Sequence, residues 1–230
     1  MLVRQVVASY FETNCWIISR GQNQECIIVD PGIAQPNLVN RILEEVNRFN
    51  LKPKAIVVTH GHLDHTYSVL PLSKEISMRT YVSKPDRYLL KDPFAALLKD
   101  GGIQQLMKFL SRENIGEPSD VKELQDKESF EIAGLQITAT LAPGHTSGSM
   151  LFEIEGEHLV SGDVLFAGSI GRTDLPTGSM QEMKKSLKNI ILEMSDELNV
   201  LPGHGVQTRI AVEKRSNPYL QSDFLDSIED

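Results

Sequence analysis

Cysteine and tryptophan are scarce in this sequence, with two Cys and one Trp among 230 residues. Two cysteines cannot build the disulfide framework of a small secreted domain. Cys15 and Cys26 both sit in strand-like runs and are expected to be buried free thiols. Basic residues are the minority: 23 Lys and Arg against 31 Asp and Glu, for a net charge of −8. That balance argues against a nucleic-acid surface, which needs clustered Lys and Arg. It leaves room for a small anionic substrate, which needs only a local basic group. No apolar run reaches membrane-spanning length. The opening MLVRQVVASY lacks an apolar stretch long enough for a signal peptide. A cytoplasmic protein with neither a membrane nor a nucleic-acid partner is expected. Hydrophobic content of 40% and charged content of 23% are near the globular average, so disorder is not expected. The length suffices for one domain with a sizeable core.

Histidine is scarce too, at six residues, yet five of the six fall in three short phrases. These are Thr59-His-Gly-His-Leu-Asp-His65, Pro143-Gly-His145 and Pro202-Gly-His204-Gly. Two aspartates, Asp30 and Asp163, stand at the ends of hydrophobic runs. A lone histidine after a strand is usually an ordinary surface or core residue, and His158, outside every phrase, is read that way. Four potential ligands in six residues are another matter, because burying them unpaired is costly. Imidazole and carboxylate suit zinc, iron or manganese. The candidates His60, His62, Asp64, His65, His145, Asp163 and His204 are too many for one four-coordinate ion and suit two. His60 and His62 can share one ion, completed by His145. Asp64 and His65 can serve the second, completed by His204. Asp163 is the natural bridge, because one carboxylate offers an oxygen to each ion. Room for a solvent remains at each, the mark of a catalytic rather than a structural site.

Runs rich in Val and Ile over 3–8, 15–19 and 25–29 read as strands. A helical period follows over 37–49, with Leu38, Ile42, Leu43, Val46 and Phe49 on one face. Residues 54–59 form a buried strand that stops where the histidine cluster begins, then a helix over 66–76 and a strand over 79–83. A ligand cluster at a strand end is where open α/β sheets commonly place sites. Segment 88–115 carries helical signal split by Gly101-Gly102 and reads as a helical insertion of two short helices. Two readings stand for it: a packing insertion or dimer contact, and a lid or pocket wall over the metals. Hairpins are expected at 129–141 and 149–161. A helix over 179–194 opens on a capping box of Ser179 and Glu182. A last strand over 198–201 leads to a helix over 208–215, limited by Pro218.

Asp30-Pro-Gly, the His60–His65 phrase, Pro-Gly-His145, Gly162-Asp163 and His204 follow one another in an order and spacing that resembles the metallo-β-lactamase superfamily. Asn14-Cys-Trp also looks like that family's early strand. The resemblance runs over nearly the whole chain. It implies an αββα sandwich: two mixed sheets face to face, helices outside, metals at one edge, in a single domain over 1–230. Asp30 is carried over as a support near the site and not as a ligand. The phrase Gly168-Ser-Ile-Gly-Arg-Thr-Asp-Leu-Pro resembles the short glyoxalase II-like hydrolases. About 25 residues follow His204, where full-length glyoxalase II proteins carry a helical domain that helps bind glutathione.

The resemblance implies two divalent ions, zinc first, with iron or manganese as alternatives. A metal-bridging hydroxide then attacks a polarised carbonyl. A thioester suits such a site, because a thiolate leaves with little acid assistance. Hydrolysis of a hydroxyacyl-thiol such as S-lactoylglutathione is expected, by a monomer or homodimer, with Asp64 also orienting the nucleophile. Arg172 is a candidate to read an anionic group of the substrate, against a structural ion pair with Asp174. Tyr88, with Lys84 and Arg87, lines the pocket or is plain surface. The rival enzyme is persulfide dioxygenase-like, with one iron on His60, His145 and Asp163, a two-His-one-carboxylate set open to O₂. A β-lactamase is disfavoured by the lack of an export signal. A nuclease is disfavoured by charge and by the large extra domain such enzymes usually carry. A non-catalytic binding module would lack ligands, and none is missing.

Overall fold

The computed structural model describes residues 1–96 and 110–227. Its strands form two six-stranded sheets. The first sheet holds β1 (Leu2–Val7), β2 (Asn14–Ser19), β3 (Glu25–Val29), β4 (Lys52–Val57), β5 (Arg79–Ser83) and β6 (Val121–Leu124), in that spatial order. Its first three strands run antiparallel and the pairs from β3 to β6 are parallel. The second sheet holds β7 (Glu128–Ile132), β8 (Leu135–Leu141), β9 (Met150–Ile154), β10 (His158–Gly162), β11 (Asn199–Pro202) and β12 (Thr208–Arg209). It is antiparallel except for the β10–β11 pair.

Strand β2 shows why the sheets stack. Its side chains alternate between two cores, as the two-residue period of a strand requires. Cys15 and Ile17 face one way, with Cys26, Ile28 and Ile56, against Leu38, Ile42 and Val46. Trp16 and Ile18 face the other way, into the layer shared with Ile137, Met150, Phe152 and Leu201 of the second sheet. A strand buried on both faces reads as a continuous apolar run. The outer helices are α1 (Val39–Arg48), α2 (Leu63–Thr66), α3 (Val69–Glu75) and α4 (Arg87–Lys91) by the first sheet. They are followed by α5 (Met180–Asn189), α6 (Ile210–Ser216) and α7 (Ser222–Leu225) by the second. Met183 and Leu187 of α5 pack on Leu151, Leu159 and Val200, closing the fourth layer. The αββα sandwich expected from the resemblance is the observed architecture.

Several boundaries differ from expectation. The helix expected over 66–76 is two pieces, because Ser68 leaves helical geometry and uses its hydroxyl to donate to Gly32 O and accept from Leu38 N. The helix expected over 179–194 ends at Asn189. Ile190 breaks it (φ −121°, ψ −61°), and a 3-10 turn follows at Ile191–Glu193. The cap is half a capping box: Ser179 Oγ accepts from Glu182 N, while the Glu182 carboxylate goes to Lys185. Thr208 and Arg209 pair with β11, so the helix expected at 208 begins at Ile210. Strand β6 was not expected. Its Val-Lys-Glu-Leu shows little alternation, and parallel pairing with β5 creates it. Of the helical insertion at 88–115, α4, a 3-10 turn at Pro93–Ala96 and another at Arg112–Asn114 are described. Phe94, Leu110 and Ile115 pack on Ile33, Leu63 and Tyr67. Residues 97–109, with Gly101-Gly102, lie outside the described residues.

Candidate metal centre

All seven ligand candidates, with Asp30, lie just past strand ends at one edge of the sandwich, most of them on turns and Asp64 and His65 on the short helix α2. Asp30 follows β3, His60 to His65 follow β4, His145 follows β8, Asp163 follows β10 and His204 follows β11. Their ring and carboxylate atoms converge as three overlapping groups: His60 with His62 and His145, Asp64 with His65 and His204, and, between them, Asp30 with His60 and His65. In the first, His145 Nε2 lies 2.8 Å from His62 Nδ1 and 3.1 Å from His60 Nε2. In the second, His204 Nε2 lies 3.3 Å from both His65 Nε2 and Asp64 Oδ2. The Asp163 carboxylate reaches both groups. Its Oδ1 is 3.3 Å from His65 Nε2, and its Oδ2 is 3.5 Å from both His145 Nε2 and His204 Nε2. Donors about 2.05 Å from one tetrahedral ion stand about 3.3 Å apart. The observed separations are of that size.

The outer nitrogens of the rings decide what the inner ones present. His145 Nδ1 lies 2.7 Å from Arg172 O and His204 Nδ1 lies 2.9 Å from Phe11 O. A carbonyl only accepts, so both Nδ1 atoms carry hydrogen and, in the neutral ring, Nε2 carries the lone pair. Thr59 Oγ1 donates to Asp30 Oδ2 at 2.6 Å and has no second hydrogen to give, so it accepts from His60 Nδ1 at 3.1 Å. Asp30 Oδ2 also accepts from His65 Nδ1 at 2.9 Å, and Asp30 Oδ1 accepts from Thr59 N at 2.8 Å. Asp30 thus spends its carboxylate on hydrogen bonds from Thr59 and His65. It does this from backbone with φ of +49°, a conformation in which aspartate is tolerated better than most residues.

Charge is distributed unevenly. Burial drives the His60 imidazole well below its ordinary value, with the neighbouring His65 adding to the effect. Burial and His145 lower His62 to about 3. Burial alone would also lower His65 and His204. Asp163 and Asp64 outweigh it, raising His65 well above the ordinary value and His204 to about 9. Burial would raise the two carboxylates, yet His65 and a hydrogen bond from His204 hold both Asp64 and Asp163 below the ordinary range. Asp163 Oδ1 is buried without a hydrogen-bond partner among the described residues. The lone pairs of His60 and His62, ionised carboxylates and an orphaned oxygen fit a pair of cations.

Sequence reasoning did not find the groups that hold this edge together. Asn14 Nδ2 and Trp16 Nε1 each donate to Pro202 O at 3.0 Å, tying β2 to the turn that carries His204. Thr13 Oγ1 donates to Asp64 Oδ2 at 3.1 Å. The Asn14-Cys-Trp phrase was the available signal. Arg172 contributes its carbonyl to His145, while its guanidinium forms a bidentate pair with Asp174 at 2.7 and 2.6 Å on the surface. Tyr88 is exposed on α4.

The profile of the metallo-beta-lactamase superfamily matches residues 9–204. The chain belongs to that superfamily. An uncharacterized Mycobacterium tuberculosis protein is 34% identical over 96% of this chain and 98% of its own. A Haemophilus influenzae protein described as hydroxyacylglutathione hydrolase GloC is 32% identical over 96% and 99%. Among solved structures, BLEG-1, described as a B3 metallo-beta-lactamase, superposes with a TM-score of 0.82 at 30% identity, covering 96% of this chain and 100% of that one. TTHA1623, described in a di-iron-bound form, superposes with a TM-score of 0.76 at 28% identity, covering 95% and 100%. The chain thus carries two candidate metal-binding sites of a binuclear centre. Among the described residues, no helix is long and apolar enough to cross a membrane.

Proposed function

We propose that this chain is a metal-dependent hydrolase that cleaves a small hydroxyacyl thioester of the S-lactoylglutathione kind. The observation that carries the reading is the seat of Asp163, one carboxylate within 3.5 Å of both donor groups. His60, His62 and His145 would hold one divalent ion, and Asp64, His65 and His204 the other, with Asp163 shared. Zinc is the first choice, and iron or manganese the alternatives. Bound cations supply the positive charge that sharpens a water and polarises a carbonyl. Asp64 stays ionised, held below the ordinary carboxylate range by His65 and His204. It therefore accepts hydrogen bonds and can orient a water, but it offers no proton to a leaving group. A thiolate needs none. Tyr88 and Arg172 are the side chains assigned to the polar end of the substrate. The exposed Arg172–Asp174 pair is worth little by itself and can yield to a substrate carboxylate. The Haemophilus relative, aligned over nearly all of both chains, supports the thioester.

A second reading is favoured by a specific finding. The neighbour in di-iron form supports iron as the metal, though as two ions, and a single iron on His60, His145 and Asp163 would be the donor set of a persulfide dioxygenase-like enzyme. The comparisons lend this reading more weight on the metal than they lend the thioester on the substrate. One panel separates the two. Metal is quantified in as-purified protein, and turnover is measured on S-lactoylglutathione, on glutathione persulfide with an oxygen electrode, and on a β-lactam. Two ions with thioester turnover is the expected result. One iron with O₂ uptake would overturn it.

A further inference from the structure

We propose that Asp86 is a positioning residue for the first donor group: one oxygen of its carboxylate fastens the loop of His60 and His62 to the loop of His145. The inference rests on the two-ion reading above. Asp86 is fully buried. Its Oδ2 accepts from Gly61 N at 2.8 Å and from Thr146 Oγ1 at 2.7 Å. Gly61 sits between His60 and His62, and Thr146 follows His145. The two loops are far apart in sequence, and a single acceptor receives one donor from each.

Close packing on both sides independently points to the same role. A Cβ at Gly61 would stand 2.6 Å from the Leu89 side chain and 2.9 Å from Asp86 O, so the first loop rests against the opening turn of α4. A Cβ at Gly148 would stand 2.3 Å from Asp86 Oδ1 and 2.4 Å from Ser83 Oγ, so the second loop presses on the same carboxylate. Any side chain at either position would push a loop away. Asp86 itself is anchored by Leu89 N, which donates to Asp86 O at 3.0 Å. Burial raises the Asp86 carboxyl, while donation from Thr146 and Gly61 pulls it back. Asp86 touches neither a ligand ring nor substrate. It acts through the backbone of one loop and the hydroxyl of the other.

The test reads metal binding and not turnover. Metal-stripped wild type, Asp86→Ala, Asp86→Asn and Thr146→Val are titrated with Zn²⁺ against a chromophoric chelator, which resolves two binding steps. Melting of each stripped protein is followed by circular dichroism. Asp86→Ala is expected to weaken one step by about 10–100-fold, the scale for groups that orient metal ligands, and to leave the other within a few-fold. Asp86→Asn retains an acceptor oxygen for Gly61 and Thr146 and is expected to restore the weakened step. Thr146→Val, which removes one donor and keeps the carboxylate, is expected to weaken the same step by less, and it carries the test if Asp86→Ala does not fold. Two unchanged steps in a folded Asp86→Ala would overturn the proposal, as would equal loss from both steps alongside a lower melting temperature. Wild type that takes up no ion would refute the two-ion reading and this proposal with it, an outcome distinct from loss in the variants alone.

Discussion

At His60, His62 and His145 three imidazoles meet with no carboxylate of their own. At Asp64, His65 and His204 two imidazoles meet one carboxylate. In the first group burial wins, and His60 and His62 are pushed toward the neutral form. In the second group Asp163 and Asp64 win, and His65 and His204 keep protons. Exposure divides less cleanly: the His145 side chain is 4% accessible and His204 and Asp64 are 26% and 22%, but His65 of the second group is fully buried. In the first group, His60 and His62 offer lone pairs that need no proton removed. The second already balances its carboxylates with protons, and a cation must displace them. The same residue types on the same edge thus prepare two unequal sites, and Asp163 is what they share.

Removing the shared group should have the largest effect. Asp163→Ala is expected to lower metal content from two ions toward none and turnover by on the order of 10³-fold, as for loss of one preorganised charged group in a dry site. Elemental analysis and thioester assays on folded protein check it. Retention of one full equivalent would mean that the two groups are not coupled through this carboxylate. Next in size is Asp30→Asn. An amide nitrogen in place of one oxygen disturbs the acceptors for Thr59 and His65. A loss of about 10–100-fold in metal affinity is expected, larger at the step served by His65. A smaller difference is expected in metal removal. Dilute chelator should strip the second, more exposed group first, about tenfold faster than the first, since opening and proton competition both favour release there. Paired rates from a chromophoric chelator would show one phase if the sites were equivalent.

What the sequence makes legible follows from what each feature asks of it. Ligands must be particular residue types, so the His60–His65 phrase, His145, Asp163 and His204 stand out in the amino-acid sequence alone. Doubly buried strand segments are mostly apolar, so the centres of β2 and β3 and the Ala55–Val57 end of β4 are visible there too. The supports are harder to see. Arg172 orients His145 through a carbonyl that any residue would supply, while its guanidinium, the part that draws notice, pairs with Asp174. Asp86 and Thr13 look like ordinary polar loop residues until the fold brings Gly61, Thr146 and Asp64 to them. Strand β6 exists because β5 offers an edge, a tertiary cause with little local pattern.

The smallest expected effect is a pH dependence, and it tests the contrast directly. In metal-free protein His204 titrates near 9 when folded, against an ordinary 6.5. A base whose folded value is raised adds stability that is full below about 6.5 and disappears as pH climbs through about 9. His62 has the opposite sign. Its folded value of about 3 lies below the ordinary 6.5, so stability is lost as pH falls below 6.5, because the unfolded chain takes up a proton that the folded one refuses. Chelator-treated protein should therefore melt highest near pH 6.5 and lose a few degrees on either side. The alkaline fall belongs to the second group and the acid fall to the first. Added Zn²⁺ removes the proton from His204, so the alkaline slope between pH 6.5 and 9 should flatten in loaded protein. His204→Gln should flatten it without metal. A metal-free melting temperature that stayed level across that alkaline window would show that the second group carries no proton, and the two sites would then be alike.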